Sequence, residues 1–457
     1  MMQKLLFLGG MLLALLTGNA VYAYDFKVDD ICYTVTSFEN YTVTVDGFNN
    51  LSGIIEIPSN ITYNNRNFTV TSVRSVASEG DNIVSVLLPA SITEIEEGAF
   101  AQSSITHIEI PDNVTNIGYG AFENCIKLHT VKISKNVKKL DSYLFAGCAS
   151  LTKIDWQPEG YGGSIKGGAF KNCKSLKTFR IPSGVESLGG TKDRTDVPVF
   201  TGCTALDSLI IEDGESAPLE LEYNDGRIGD GTYFGEFHRC KINYIYLGRA
   251  IKERWENKPD PELYYVEHLE IGNNVKELPL WPPNGQGRMD RKQLKTLVIG
   301  SSLTKVMDFS KDPFYTVEYG NQTLEFIKIK GNTPPKAEGF SNYNFINTIL
   351  YVPQGAKAIY ESTEIWKNFW NIQEFPNEES DISSIKIANN IFIQSQNGIL
   401  YITGISDRTT AFVYSVSGQL IGSGIAYQGK SSIATSLNKG DIAIVRIGNI
   451  VEKIIME

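Results

Sequence analysis

Ile105-Thr-His-Ile-Glu-Ile-Pro-Asp-Asn-Val-Thr-Asn-Ile-Gly-Tyr-Gly-Ala-Phe-Glu-Asn-Cys125 is one complete unit of a repeating chain. Ile105, Ile108 and Ile110 hold its first, fourth and sixth positions, a spacing that suits a short strand with one buried face. Pro111 then removes a backbone donor and ends the ladder. Val114 and Ile117 turn the chain inward a second time, and Ala121-Phe122 opens a tight helical turn that ends at Cys125. A unit of this length cannot bury its apolar face alone, so it must stack on copies of itself.

The copies are there. Phe100, Phe122, Phe145, Phe170, Phe200 and Phe237 keep one register, and Cys125, Cys148, Cys173, Cys203 and Cys240 follow three residues behind all but the first, where Ser103 stands. The early steps are roughly 22 to 25 residues and the later ones lengthen through insertions. Leu176-Lys-Thr-Phe-Arg-Ile-Pro-Ser-Gly-Val-Glu-Ser-Leu-Gly opens another unit. A period of this size predicts a solenoid, an architecture that chiefly makes an extended surface.

A strand followed by Ile-Pro, then Val-x-x-Ile-Gly, then Ala-Phe-x-x-Cys resembles the BspA-like leucine-rich-repeat family of secreted and surface bacterial proteins. The resemblance covers residues 83–205 well. It is looser over 206–375, where copies starting at Val266, Leu294 and Leu324 keep only the strand half. It implies an α/β repeat: a leucine-rich-repeat solenoid with a parallel β-sheet on one side and short helical turns and loops on the other. It also implies adhesion-like roles, towards host proteins or other cells.

The flanks divide the chain. Met1-Met-Gln-Lys4, the apolar run Leu5 to Leu16 and Val21-Tyr-Ala23 read as a secretory signal peptide, residues 1–23, too short to span a bilayer. No cysteine sits just after the apolar run, so no lipoprotein anchor is expected, and no second run has spanning length. Residues 24–80 read as an N-terminal β cap with a first degenerate repeat. Phe26-Lys-Val-Asp-Asp-Ile-Cys-Tyr-Thr-Val35 gives strand, turn and strand, Tyr63-Asn-Asn-Arg-Asn-Phe68 a hairpin turn, and Ile54-Ile-Glu-Ile-Pro58 a repeat strand. Such a cap covers the first coil, whose open edge would otherwise invite aggregation.

Residues 81–375 are the repeats with their C-terminal cap, for which Ala356 to Phe369 predicts a short amphipathic helix. Residues 376–386 form a polar linker. Residues 387–457 alternate short apolar strands with turns at Ser417-Gly, Gly422-Ser-Gly and Asn438-Lys-Gly, the pattern of a small β-sandwich. The run Val413-Tyr-Ser-Val-Ser-Gly-Gln-Leu420 with Lys439-Gly-Asp-Ile-Ala-Ile-Val-Arg-Ile447 and Lys453 resembles C-terminal sorting domains of Bacteroidota secretion, without their Asn-Pro opening. That resemblance implies passage to, and attachment at, the outer-membrane surface of a Gram-negative bacterium.

Composition narrows the partners. The 457 residues carry a formal charge of −10, which argues against nucleic acid. Charged residues at 21% and aromatics at 11% describe a folded chain, and its 22 Tyr and 22 Phe supply contact residues. The repeat register points five cysteines into the core as small apolar fillers, in preference to three disulfides; Cys32 lies outside the register.

No Cys-x-x-Cys pair, His-Glu-x-x-His or Gly-x-Ser-x-Gly is present, and no catalytic, cofactor or metal residue is assigned; the chain is read as no enzyme. The acidic insertion with Asp213, Glu215, Glu220, Glu222, Asp225 and Asp230 lacks the spacing of an EF-hand loop.

The outward positions of the strands remain. The third and fifth of each coil face away from the core. The fifth-position row begins Glu109, Lys132, Asp155, Arg180, an expected charge ladder. Further along come Ser208 and Ile210, then Tyr244 and Tyr246, then His268 and Glu270, the candidate partner-binding patch. Its partner is expected to be an extracellular protein (host matrix, host cell surface or other bacteria) or a glycan.

Overall fold

The structure is a computed structural model and describes residues 24–74, 82–189, 197–214, 218–222, 237, 240–253, 266–276, 294–308, 323–375, 385–387, 391–396, 399–415, 420–427, 429–435, 437, 441–447 and 450–455. The signal reading of residues 1–23 lies outside them, as do Glu215, Asp225, Asp230 and the turns at Ser417 and Asn438. Two compact units divide between Phe375 and Pro376.

In the first unit the coils that keep the whole repeat, such as those of Ile105–Cys125 and Leu128–Cys148, contribute to three sides. The first is a parallel ladder made by the strand half of the repeat. His107–Glu109, Thr130–Lys132 and Lys153–Asp155 form one stretch. Thr178–Ile181, Ser208–Ile211, Tyr244–Leu247, His268–Ile271, Thr296–Ile299, Phe326–Ile329, Ile349–Pro353 and Asn371–Phe375 form an eight-stranded one. Inward residues such as Ile108 and Val131 are buried while their neighbours are exposed, the alternation a one-sided sheet requires. The ladder breaks after Asp155, where Trp156-Gln157-Pro158 replaces the Ile-Pro corner and the indole N–H donates to Val137 O at 2.8 Å.

The second side also carries strands, beyond the turns and loops expected there. Glu94–Ile95 pairs in parallel with Asn116–Ile117, and Lys139–Leu140, Gly163–Ile165, Val185–Gly189, Leu219–Glu222 and Ile251–Glu253 continue the row. The second apolar pair of each unit has just enough residues to make such a bridge. The corner between the sides closes by a local bond: Val114 N–H to Pro111 O at 3.0 Å, Val185 N–H to Pro182 O at 3.0 Å.

The third side holds the Ala-Phe turns. Glu123 N–H bonds back to Gly120 O at 2.8 Å, while Phe122 N–H goes forward to Leu144 O in the next coil at 3.0 Å. Backbone groups left over by a short turn are therefore satisfied between coils. The six phenylalanines stack beneath these turns with centroids 5.1 to 5.6 Å apart and planes 8 to 14° from parallel.

Each repeat cysteine donates its S–H to the carbonyl of the preceding coil's phenylalanine, from Cys125 on Phe100 O at 3.0 Å to Cys240 on Phe200 O at 3.1 Å. All six cysteines are free and buried. Burial pushes the Cys148 and Cys173 thiols up, away from the reactive thiolate. A thiol reagent should accordingly find no reactive cysteine in the native protein and six after unfolding without reductant. Fewer than six in denaturant would mean that disulfides exist.

The ends of the first unit are closed differently. Phe26–Val28, Ile31–Ser37 and Thr42–Phe48 form an antiparallel meander whose last strand runs parallel to Arg66–Val73. That strand pairs in turn with Glu94–Ile95. Asp29-Asp30 and Asn64-Asn65 sit at positive φ in the two tight turns, the residues such turns favour. Gly53–Glu56 pairs in parallel with Ile83–Leu87, so the repeat ladder already begins there.

At the other end α1 (Asn342–Asn347) and α2 (Lys357–Ser362) flank the Ile349–Pro353 strand. The helix expected over Ala356–Phe369 is cut short. Thr363 turns its hydroxyl onto Ile359 O at 2.7 Å, Ile365 takes φ 72°, and a separate 3-10 turn holds Trp366–Asn368. Trp366 and Tyr360 are fully buried, bonded to Pro335 O at 2.7 Å and Gly331 O at 2.8 Å, and seal the core.

The second unit contains two four-stranded antiparallel sheets. One is Ile385–Ile387, Ile391–Gln396, Ile399–Thr403 and Lys430–Ala434; the other is Leu420–Ile425, Thr410–Ser415, Ile442–Ile447 and Ile450–Ile455. Ile393, Leu400, Ile402, Val413, Ile433 and Val445 form the core between them, which is a sandwich. Gly422 and Gly424 leave room for Ile433, which a Cβ at either position would meet within 2.8 Å.

Among the described residues no helix is long and apolar enough to cross a membrane.

Candidate partner-binding surface

Parallel register sets the candidate residues in two adjoining rows. Ser208, Tyr244 and His268 are successive partners in one, and Ile210, Tyr246 and Glu270 in the other. All six are half-buried, unlike the exposed outward positions of the earlier coils. The structure thus brings together all six, though as a packed patch rather than the open one expected from alternation alone.

The polar groups of the patch are already engaged. Tyr244 Oη donates to Glu270 Oε2 at 3.0 Å, and Lys330 Nζ donates to Glu270 Oε1 at 3.1 Å from two coils further on. Tyr246 Oη donates to Asp213 Oδ2 at 2.8 Å. His268 Nδ1 and Thr296 Oγ1 lie 2.8 Å apart, and Ser208 Oγ donates to Asp207 Oδ2 at 3.1 Å. Burial, and then the adjacent carboxylates, hold both tyrosine hydroxyls well above the usual phenol range. The phenols are therefore neutral, fixed donors. Their rings are held in one orientation before any partner arrives, which reduces the ordering cost of association.

Sequence alternation missed the partners that pin the rings. Asp213 was visible only as one of several acids in an insertion, and its carboxylate is a phenol acceptor. The signal for the rest is the residue after the last strand position. Pro111 and Pro182 stand there in earlier coils, and Gly248, Gly272 and Gly300 in three consecutive later ones. A Cβ on Gly272 would lie 2.8 Å from both Tyr246 Oη and Asp213 Oδ1, and one on Gly300 would fall on the backbone of Gly272. The glycines let the coils approach and give the Tyr246–Asp213 contact its space.

The charge ladder forms in part. Lys132 is bonded to Glu109. Arg180 instead turns to Glu212 Oε1 at 3.2 Å, because its strand belongs to the next ladder and not to that of Asp155. Glu212 also accepts from Gln157 Nε2 and from Ser183 N–H, each at 3.0 Å. Among the described residues no group of three or more His, Cys, Asp or Glu is placed to hold a metal ion.

Comparison with known proteins agrees on the repeat. Residues 71–207 match the BspA type leucine rich repeat region in six copies. No curated protein matches. Among solved structures, a leucine rich cell surface protein from Faecalibacterium prausnitzii is 19% identical, with 76% of this chain and 94% of that chain covered and a TM-score of 0.32. A leucine-rich repeat protein from Bacteroides ovatus is 21% identical over 78% of this chain and 80% of that chain, at 0.34. The pneumococcal vaccine antigen PcpA is 17% identical over 79% and 100%, at 0.33.

Proposed function

We propose an exported binding role for this chain, whose residues 71–207 are a BspA type leucine-rich repeat region. The partner is an extracellular protein, and it docks on the later coils of the long ladder, where Tyr244 and Tyr246 are prearranged. The observation that carries this reading is the pinning of both phenols by Glu270 and Asp213. Ring area fixed in this way favours association because less side-chain freedom is lost on contact. The apolar run Leu5 to Leu16 supports export, and the sandwich of the second unit is the part assigned to sorting or attachment at the cell surface. No chemistry is assigned to the surface; it works by shape and contact.

Binding of the mature chain to immobilised matrix proteins, mucin and a glycan panel tests this. A saturable protein ligand is expected, and Tyr244→Ala with Tyr246→Ala should weaken it about 30-fold, the effect of losing about 2 kcal/mol at a central aromatic contact. The double Phe variant keeps the rings and serves as the control for folding. Equal affinity of the Ala variant would move the site elsewhere. A ligand displaced by free oligosaccharide would make the surface a glycan site.

A further inference from the structure

In four successive coils the corner between the second side and the Ala-Phe turn passes through a left-handed residue, two positions before the phenylalanine. Gly98, Gly120 and Gly168 take this place at φ 65°, 56° and 69°. Tyr143 takes it at φ 57°. Coil-to-coil bonds fix the equivalence: Gly98 N–H goes to Tyr119 O at 2.9 Å, Gly120 N–H to Ser142 O at 3.1 Å and Tyr143 N–H to Gly167 O at 3.3 Å. Glycine adopts this backbone without steric cost, whereas a bulky side chain is strained in it. Strain of this kind gathers where a side chain is kept for a function.

The neighbouring coils make room for the ring. A Cβ on Gly168 would lie 3.3 Å from Cδ1, Cε1 and Cζ of Tyr143. Tyr119, one coil earlier, sets its ring 5.4 Å from that of Tyr143 at 42°. Lys171 Nζ lies 5.5 Å from the Tyr143 centroid. Tyr119 is 41% exposed, and Tyr143 and Lys171 are half-buried. Two rings thus form a small, partly open platform with a cation at one end. Exposed Glu97 holds the place of Tyr119 one coil further back, so the opposite end is acidic.

We propose that this platform binds a glycan through a pyranose ring that carries a carboxylate. Size argues against a protein partner. Two tyrosines bury about 300–500 Å² between them, against about 800 Å² per partner in a stable protein interface. The row of Tyr143 is bounded by glycines, Gly120 before it and Gly168 after it, so the ring surface does not continue along the coils. A pyranose presents C–H groups on its face, the complement of the negative face of a phenol ring. Charge gives the direction. A sugar laid across both rings puts its carboxylate at Lys171 and its hydroxyls towards Glu97, which can accept from them. A cationic ligand is disfavoured, because Lys171 already stands over Tyr143. The platform lies on another side of the coils from the Tyr244 and Tyr246 patch, so the fate of one site does not decide the other.

Calorimetric titration of the full mature chain with uronate- and sialate-bearing oligosaccharides, each beside its carboxyl-reduced counterpart, tests the proposal. An acidic member is expected to bind, and its reduced form about tenfold more weakly or worse, the effect of losing a charge-assisted contact. Whether uronate or sialate binds names the source of the carboxylate. Tyr143→Gly should weaken binding by about tenfold or more while its urea midpoint stays level or rises, since the strained backbone is relieved. Lys171→Gln should bring the acidic sugar down to the affinity of its reduced form. A ring kept for packing would instead lower the midpoint when replaced by glycine. That fall overturns the proposal, as do unchanged affinity in Tyr143→Gly, equal affinity for acidic and reduced forms, and a chain that binds no member of the series.

Discussion

Phe145→Ala should lower the stability of the repeat unit by about 3–5 kcal/mol, the usual cost of emptying a fully buried aromatic position. Phe145 is 0% exposed and is stacked on both sides, 5.4 Å from Phe122 and 5.6 Å from Phe170. Alanine keeps the backbone bond from residue 145 to Ala169 O, so the loss falls on packing rather than on coil-to-coil hydrogen bonding. In a solenoid each coil is stabilised by its neighbours alone. A hole at Phe145 therefore weakens two interfaces and partly uncouples the coils before it from those after. Urea unfolding followed by circular dichroism should show a lower midpoint and a broader or divided transition. Phe100, which has one stacked neighbour among the described residues, should cost less when truncated. A loss under about 1 kcal/mol at Phe145, or an equal loss at both positions, would show that the stack does not carry the coupling.

The same stack explains what the sequence could convey. Phe and Cys recur at fixed offsets because each coil repeats one packing problem. The solenoid, the inward thiols and the outward rows of the ladder were readable from spacing for that reason. Hairpin turns were readable too, since Asn64-Asn65 is a local signal for positive φ. What spacing could not convey lies between coils. The strand formed by Asn116–Ile117 depends on its neighbour Glu94–Ile95 and has only two residues to announce it. Tyr246 looked like an open ring because alternation says which way a side chain leaves the strand. It does not say that Asp213, in an insertion of another coil, will take its hydroxyl. The helix expected through Phe369 failed for a local reason that propensity understated: Thr363 and Ile365, both β-branched, interrupt it.

Arg249→Met should cost about 2–3 kcal/mol, the order of losing charge-assisted hydrogen bonds to buried carbonyls. Arg249 is 4% exposed. Its guanidinium reaches back two coils, Nη1 to Ser183 O at 2.9 Å and Nη2 to Pro182 O at 3.0 Å. Burial lowers its pKa, and the charges of Glu212 and Glu186 act against that. Ser183 is thus held from both directions, its N–H by Glu212 and its carbonyl by Arg249. Methionine fills much of the volume but takes this donor from the Ser183 carbonyl and leaves Pro182 O with the Val185 N–H alone.

The arrangement predicts coupling. Glu212→Gln and Arg249→Met should be non-additive by at least about 1 kcal/mol in a double-mutant cycle, since both act on one corner. Gly214→Ala gives a separate check, because its Cβ would lie 2.9 Å from Arg249 Cδ and should press the side chain out of place. If the double variant loses only the sum of the single losses, and Gly214→Ala is neutral, Glu212 and Arg249 act on this corner independently. If the coupling is found, Glu212 and Arg249 act as one unit on the Pro182-Ser183 corner, one holding the Ser183 N–H and the other its carbonyl.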